Sequence, residues 1–263
     1  MSASLSLPSI AELRPIAQPE EHLKRLGEEH WAGRLYMRRI SLHVTRLLVA
    51  TPLSANAVTF LMIPVGLLAA LVLTLPGLWA AIGAALLAQL WLLLDCCDGE
   101  VARWRRTFSP KGPYLDSLGH YVSEAALPAA LGIRADGGWG SIGGWTALGL
   151  TVSVLVLILK AESTLVFVAR AKSGLPAPEG IWAAEASRPA GRRPTLRQGA
   201  RLLPFLRPFY AIEASLLALA AAIVDAATDS LDATRGLLIV LVAAGLVAVI
   251  GHLLSILASD RLT

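Results

Sequence analysis

Long apolar segments are the feature that most constrains this chain. They fall at about 56–76, 78–102, 114–133, 143–170, 203–226 and 234–258. Each is close to the roughly twenty apolar residues that an α-helix needs to cross a hydrocarbon core of about 30 Å. Only 16% of the residues are charged, whereas a soluble domain carries about 25%. The segments therefore predict an all-α integral membrane protein with six transmembrane helices.

The residues before the first apolar segment predict a helix that lies on the membrane surface. Basic and apolar side chains alternate there, and the apolar ones recur at helical spacing, at Tyr36, Ile40, Val44 and Leu47. This pattern is typical of an amphipathic juxtamembrane helix. We therefore expect three parts, namely a polar N-terminal tail at 1–30, the juxtamembrane helix at 31–53 and a six-helix membrane domain at 54–260.

Lys and Arg residues are concentrated on one side of the predicted bundle. They precede the first span and fill the connections near 103–113 and 173–202, whereas the opposite connections carry mainly Asp. Cytoplasmic loops are enriched in Lys and Arg. The distribution therefore predicts a protein of the cell membrane with both termini and the loop at 173–202 in the cytoplasm.

Ionisable residues at the end of the second apolar segment are the main candidates for function. Asp95 and Asp98 lie three residues apart. On the next segment, Asp116 and His120 lie four residues apart, with Glu124 one turn further. Residues at these spacings share one face of a helix, and the short connection makes the two helices antiparallel neighbours. Converging carboxylates repel unless a cation lies between them, and their oxygens suit Mg²⁺, Mn²⁺ or Ca²⁺.

These residues resemble the signature of the class I CDP-alcohol phosphotransferase family, D-x2-D-G-x2-A-R-x8-G-x3-D-x3-D. Every interval agrees, and the matching residues are Asp95, Asp98, Gly99, Ala102, Arg103, Gly112 and Asp116. His120 stands where the family has its last Asp. The stretch T-P-L-S-A-N-A-V-T also resembles the T-P-N-x-V-T element of this family, and Y-M-R-R-I-S resembles its basic juxtamembrane helix.

The resemblance implies a reaction in which an alcohol oxygen attacks the β-phosphorus of a CDP-linked alcohol and releases CMP. It implies two divalent ions, Mg²⁺ or alternatively Mn²⁺, held by Asp95, Asp98, Asp116 and His120. It also implies a donor site that faces the cytoplasm, lined by Asn56, Thr59, Gly99, Ala102, Arg103, Ser109 and Gly112. We expect a CDP-alcohol or CDP-diacylglycerol donor and an alcohol or phosphorylated polyol acceptor, in phospholipid or phosphodiester biosynthesis. Further expectations are contact with membrane lipids, a homodimer and no nucleic-acid partner.

The residue at position 120 leaves the proton acceptor open, because in the family the corresponding Asp is both a metal ligand and the proposed base. His120 is a competent base at neutral pH, although imidazole is a poorer ligand for Mg²⁺ and favours Mn²⁺ or Zn²⁺. Glu124, one turn away, is the alternative base. A third interpretation is a catalytically impaired protein that binds a CDP-alcohol or a lipid headgroup without turnover, and a fourth is a structural His120 with another base entirely. A transporter is a further class, but nothing indicates discontinuous helices in two matching halves.

The resemblance also implies a site for a phosphorylated acceptor, because acceptor pockets of this family are often cationic in that case. Lys160 lies well inside the fourth apolar segment, where a charge must pair, snorkel or face a polar cavity. Together with Arg170 and Arg207, it is a candidate ligand of an acceptor phosphate. The alternative is that Lys160 pairs with a neighbouring acid.

Overall fold

The computed structural model describes residues 7–19, 32–176, 209–259 and 262. Within these ranges the chain forms helices and turns, with no β-strand. The predicted all-α fold is therefore confirmed for the described part of the chain.

The helices alternate with short connections. In chain order they are α1 (Ile10–Ala17), α2 (Arg38–Leu48), α3 (Ala55–Leu73), α4 (Leu78–Arg105), α5 (Lys111–Ala135), α6 (Gly144–Lys172), α7 (Ala211–Thr228) and α8 (Asp232–Leu257). A π-helical turn, Gly33–Met37, leads into α2, and a 3-10 turn, Trp139–Ser141, lies between α5 and α6. Thus α1 lies within the segment predicted as a polar tail, and α2 within the segment predicted as the juxtamembrane helix.

Among the described residues, five helices are long and apolar enough to cross a membrane. They are α3, α4, α6, α7 and α8, and they coincide with five of the six predicted spans. The protein is therefore an integral membrane protein. The remaining predicted span corresponds to α5, which has 25 residues but carries several charged side chains and is not one of the five.

Local signals explain where the helices begin and end. The Ser54 hydroxyl accepts a hydrogen bond from the backbone N–H of Ala57 at 3.2 Å, which caps α3. Gly77, with φ of 87°, precedes α4, a conformation that glycine adopts without strain. Arg106 ends α4 in the left-handed region with φ of 53°, so the chain reverses and enters α5 five residues later.

The long helices form a closed ring in the order α3, α4, α7, α8, α6 and α5. The helices α4 and α5 each pack along α3, and the side chains of Asp95 and His120 bridge α4 and α5. The α5 helix also contacts α7 and α8. It therefore packs against four of the other long helices, α3, α6, α7 and α8, although it carries several charged side chains.

A glycine crossing joins α5 closely to α6. A Cβ atom on Gly149 would lie 2.5 Å from the carbonyl oxygen of Pro128 and 2.8 Å from Cα of Gly132. The two backbones are therefore in direct contact, which only glycine permits at this point. The Ser153 hydroxyl strengthens the crossing, since it donates to the Ala125 carbonyl at 2.6 Å.

Candidate metal and nucleotide site

Three of the predicted metal ligands come together between α4 and α5. Donor atoms of Asp95, Asp116 and His120 all lie within 4.8 Å of one another. Nε2 of His120 is 3.2 Å from Oδ1 of Asp95 and 3.6 Å from Oδ1 of Asp116. All three side chains are partly exposed, so an ion could reach them. Two carboxylates and an imidazole fit a small divalent cation.

Asp98, the fourth predicted ligand, is not part of this group. Its Oδ2 accepts a hydrogen bond from the Thr59 hydroxyl at 2.6 Å, and its Oδ1 accepts from the backbone N–H of Gly99. Thr59 lies on α3, so Asp98 is turned towards α3 while Asp95 is turned towards α5. Thr59, predicted to lie near the donor site, therefore contacts one of the predicted ligands directly.

The imidazole of His120 is held from two sides. Its Nδ1 lies 3.0 Å from Oε1 of Glu124, and Oε2 of Glu124 lies 2.7 Å from Nζ of Lys160 on α6. Glu124 is only 1% exposed, which means that its negative charge depends on these two partners. The Trp91 ring meets the imidazole edge-on, with 4.7 Å between ring centroids and 83° between the planes.

Several predicted donor-site residues also lie close together. The Asn56 side-chain amide on α3 donates to the Ser109 hydroxyl at 3.1 Å, which joins α3 to the connection between α4 and α5. A Cβ atom on Gly112 would lie 3.4 Å from Oδ1 of Asn56. On α4, a Cβ atom on Gly99 would lie 3.0 Å from Nη1 of Arg103. Ala102 instead packs in an apolar cluster with Val49, Ala55 and Val101.

Two of the three predicted acceptor residues lie in the described part of the chain, and each has a partner within the protein. Lys160 is paired with Glu124, as in the alternative stated above, and its Nζ lies 5.6 Å from the Tyr121 ring centroid and 6.0 Å from that of Tyr210. The Arg170 guanidinium donates through Nε to the Pro176 carbonyl at 2.8 Å. Arg207 lies outside the described residues.

Glu100 is a part of this region that sequence analysis did not single out. It follows Gly99 directly, is fully buried, and accepts hydrogen bonds from Gln18, Ser41 and Thr45. Its position two residues after Asp98 indicates that it belongs to the same polar region. Local spacing does not predict that Gln18, at the end of α1, is its partner.

One comparison with known proteins bears on this site. The family model for CDP-alcohol phosphatidyltransferase matches residues 52–224, which is more than half of the chain. This range contains Asp95, Asp98, Asp116 and His120 together with α3 to α6. No curated protein matches the chain.

Proposed function

The chain belongs to the CDP-alcohol phosphatidyltransferase family, and we propose that it transfers a phosphoalcohol group from a CDP-alcohol donor to an acceptor alcohol and releases CMP. The observation that carries this proposal is the group of Asp95, Asp116 and His120 between two helices of the family-matched range. Carboxylates that face each other at close range bind a divalent cation, and a bound divalent cation attracts the negatively charged diphosphate of a donor.

We assign Asp95, Asp98 and Asp116 as carboxylate ligands of a centre for Mg²⁺, with Mn²⁺ as the alternative. Asp98 lies one turn from Asp95 along α4 and would serve a second ion. Bound divalent ions would hold the phosphate oxygens and neutralise the charge that develops during transfer. Arg103 and Gly99 would contact the donor diphosphate, because guanidinium groups bind phosphate through paired hydrogen bonds. Asn56 and Ser109 would lie at the nucleotide.

We assign His120 as the proton acceptor. Oε2 of Glu124 pairs with Lys160, so Oε1 of Glu124 accepts from the Nδ1–H group of His120. Nε2 lies 3.2 Å from Oδ1 of Asp95, and it would carry a lone pair once a cation occupies that carboxylate. That lone pair serves either a metal or a proton, and hard cations prefer the neighbouring carboxylates. The acceptor oxygen then bonds to the β-phosphorus, the bond from that phosphorus to the CMP oxygen breaks, and the hydroxyl proton moves to Nε2.

Lys160 in this scheme holds Glu124 rather than an acceptor phosphate. Its ammonium group is 2.7 Å from the buried carboxylate, and moving it to a substrate would leave that charge unpaired. Arg170 and Arg207 remain our candidates for the phosphate of a phosphorylated acceptor.

We propose that α5 is the sixth span. A helix of 25 residues is about 37 Å long, enough to cross the membrane. Its polar residues are compatible with this placement because α3, α6, α7 and α8 surround it and shield it from lipid. With six spans, the Lys- and Arg-rich connections support a cytoplasmic location for both termini and the site, and the amphipathic α2 would lie at that surface. A homodimer is our expectation from the family.

The test is CMP release by the purified protein in nanodiscs, with CDP-diacylglycerol and water-soluble CDP-alcohols as donors and Mg²⁺ or Mn²⁺ added. We expect metal-dependent CMP release with at least one pair of donor and acceptor, and its loss in Asp95→Asn and Asp116→Asn. Metal-dependent CDP binding with no CMP release from any pair would overturn the transferase proposal and favour the binding protein without turnover.

A further inference from the structure

The end of α1 contacts α4 directly beside the donor site. The Ala17 carbonyl accepts a hydrogen bond from Nε of Arg103 at 2.6 Å. The next residue, Gln18, donates through Nε2 to Oε1 of Glu100 at 2.7 Å. Glu100 and Arg103 are three residues apart and so share one face of α4. The last residue of α1 and the residue after it therefore bind two residues of α4 within one helical turn.

The Glu100 carboxylate makes this contact costly to break. It is fully buried, and besides Gln18 it accepts from the Ser41 hydroxyl at 2.6 Å and the Thr45 hydroxyl at 2.7 Å. The Arg38 guanidinium lies 3.9 Å away. Gln18 also donates to the Arg38 carbonyl at 2.7 Å. A buried carboxylate is tolerated only when its hydrogen bonds are made, so α1, α2 and α4 are joined at one point.

The contact with Ala17 sets the orientation of the Arg103 guanidinium. A guanidinium group is planar and presents its donors in a rigid fork. The bond to Ala17 uses Nε, whereas the two terminal Nη groups lie beside Gly99, where a Cβ atom would be 3.0 Å from one and 3.4 Å from the other. Gly99 directly follows Asp98 in the chain, so the two terminal groups lie against a residue that adjoins one of the proposed metal ligands.

The sequence of α1 supports a stable helix at this position. Ser9 and Glu12 form a capping box at its start. Leu13 and Ala17 are fully buried and pack in a cluster with Leu42 of α2 and Trp104 of α4. All of α1 lies outside the family-matched range of 52–224, so this contact is an addition to the matched part of the chain.

We infer that the end of α1 is a clasp, formed by Ala17 and Gln18, that positions Arg103 for the diphosphate of the CDP-alcohol donor. This inference rests on the proposed function. A long side chain that is already ordered loses less conformational entropy when it binds a ligand, so the clasp raises donor affinity. Gln18 is accordingly a positioning residue, because it acts through Glu100 and α1 and not on the donor itself.

The experiment is CDP titration of the purified full-length protein in nanodiscs with Mn²⁺ present. Gln18→Glu places a second carboxylate against Glu100 and opens the clasp, and we expect CDP binding to weaken about tenfold. In the double variant Gln18→Glu/Glu100→Gln, the amide introduced at position 100 can donate to the carboxylate introduced at position 18. The Arg38 carbonyl still loses the donor that it has in the parent, so CDP affinity should recover in part. Arg14→Gln, at an exposed position on the same helix, is the matched control and should bind CDP as the parent does.

Two further measurements separate positioning from a general defect. Mn²⁺ affinity without nucleotide should be the same in Gln18→Glu as in the parent, and KM for the donor should rise while kcat is largely kept. Parent-like CDP affinity in Gln18→Glu would overturn the clasp, as would a double variant that binds as weakly as Gln18→Glu. Absence of CDP binding by the parent would instead overturn the proposed function, and the role of the clasp with it.

Discussion

Nδ1 of His120 lies 3.0 Å from Oε1 of Glu124, one turn further along α5. Because Glu124 is buried and its other oxygen meets Lys160 of α6, the imidazole is oriented from inside the bundle. Its Nε2 is thereby directed at Asp95 of α4. A carboxylate that accepts from one imidazole nitrogen fixes the tautomer and raises the basicity of the other. The arrangement is suited to proton transfer next to Asp95 and Asp116.

The first prediction concerns the proton acceptor. His120→Ala should lower kcat/KM by about 10²–10⁴-fold, the range for loss of a general base. His120→Asp should keep part of the activity and move the acid limb of the pH–rate profile to lower pH, because a carboxyl group loses its proton at lower pH than an imidazole. The measurement is CMP release as a function of pH, and full activity in His120→Ala would contradict the assignment.

The same residue allows a spectroscopic check that does not depend on turnover. When Mn²⁺ is bound, pulsed electron paramagnetic resonance detects a directly coordinated nitrogen. We expect no coupling between Mn²⁺ and a His120 nitrogen in the parent protein, because we assign Nε2 as the acceptor of the substrate proton and not as a metal ligand. A nitrogen coupling that is present in the parent and lost in His120→Asp would show that His120 is a metal ligand.

The second prediction concerns the buried pair of Glu124 and Lys160. The Glu124 side chain is 1% exposed, and Lys160→Met removes the ammonium group that pairs with it. We expect a loss of about 3–5 kcal/mol in the free energy of unfolding. Glu124→Gln/Lys160→Met removes both charges and should be more stable than Lys160→Met alone. Thermal unfolding in detergent measures this difference. A double variant no more stable than Lys160→Met would contradict the charge argument.

Glu124→Gln also distinguishes the two candidate bases. If Glu124 only orients His120, its loss should reduce kcat about 10–100-fold, the usual effect of a supporting hydrogen-bond partner. If Glu124 were the base, Glu124→Gln would be as damaging as His120→Ala is predicted to be. The comparison of the two variants at saturating donor decides between these roles.

Local pattern was sufficient to predict five membrane-spanning helices and the shared face of Asp116 and His120, because helical period and apolar length are properties of short stretches. It was not sufficient for Asp98. Spacing put this residue beside Asp95, but the Thr59 hydroxyl of α3 binds it at 2.6 Å. That contact depends on how α3 packs against α4, which no local pattern encodes.

The helix α1 was not predicted from the sequence, for a different reason. Its start was readable, since Ser9 and Glu12 have the S-x-x-E spacing of a capping box and Ile10 and Leu13 are three residues apart. Charged residues and several prolines around it resemble a polar tail by composition. The decisive contact, from Gln18 to Glu100, spans 82 residues and follows only from the assembled bundle.

The third prediction concerns acid stability through Asp136, in the connection between α5 and α6. Burial acts to raise the pKa of Asp136, but hydrogen bonds from Thr146, Gly143 and Trp145 together lower it below the ordinary value. A carboxyl group whose folded-state pKa is lowered contributes stability above its unfolded pKa, near 4, and loses that contribution as pH falls through the folded pKa. Asp136→Asn should therefore cost about 1 kcal/mol at neutral pH.

The check for Asp136 is thermal unfolding of the parent and Asp136→Asn across a pH series. The stability difference between them should be full at neutral pH. It should shrink as pH falls from about 4, the unfolded pKa, through the lower folded pKa of Asp136. A difference that stays constant down to strongly acidic pH would show that the side-chain shape, and not the charge, supports the start of α6.

The fourth prediction compares two glycines on α6. A Cβ on Gly149 would lie 2.5 Å from the Pro128 carbonyl oxygen and 2.8 Å from Cα of Gly132, and backbone atoms cannot turn aside as a side chain can. Gly149→Ala must therefore separate α5 from α6, and we expect a loss of about 1–3 kcal/mol together with reduced CMP release, since α5 carries His120 and α6 carries Lys160. Gly144→Ala is the matched control, because a Cβ there meets no atom within 4 Å. Equal thermal stability of the two variants would contradict the close crossing.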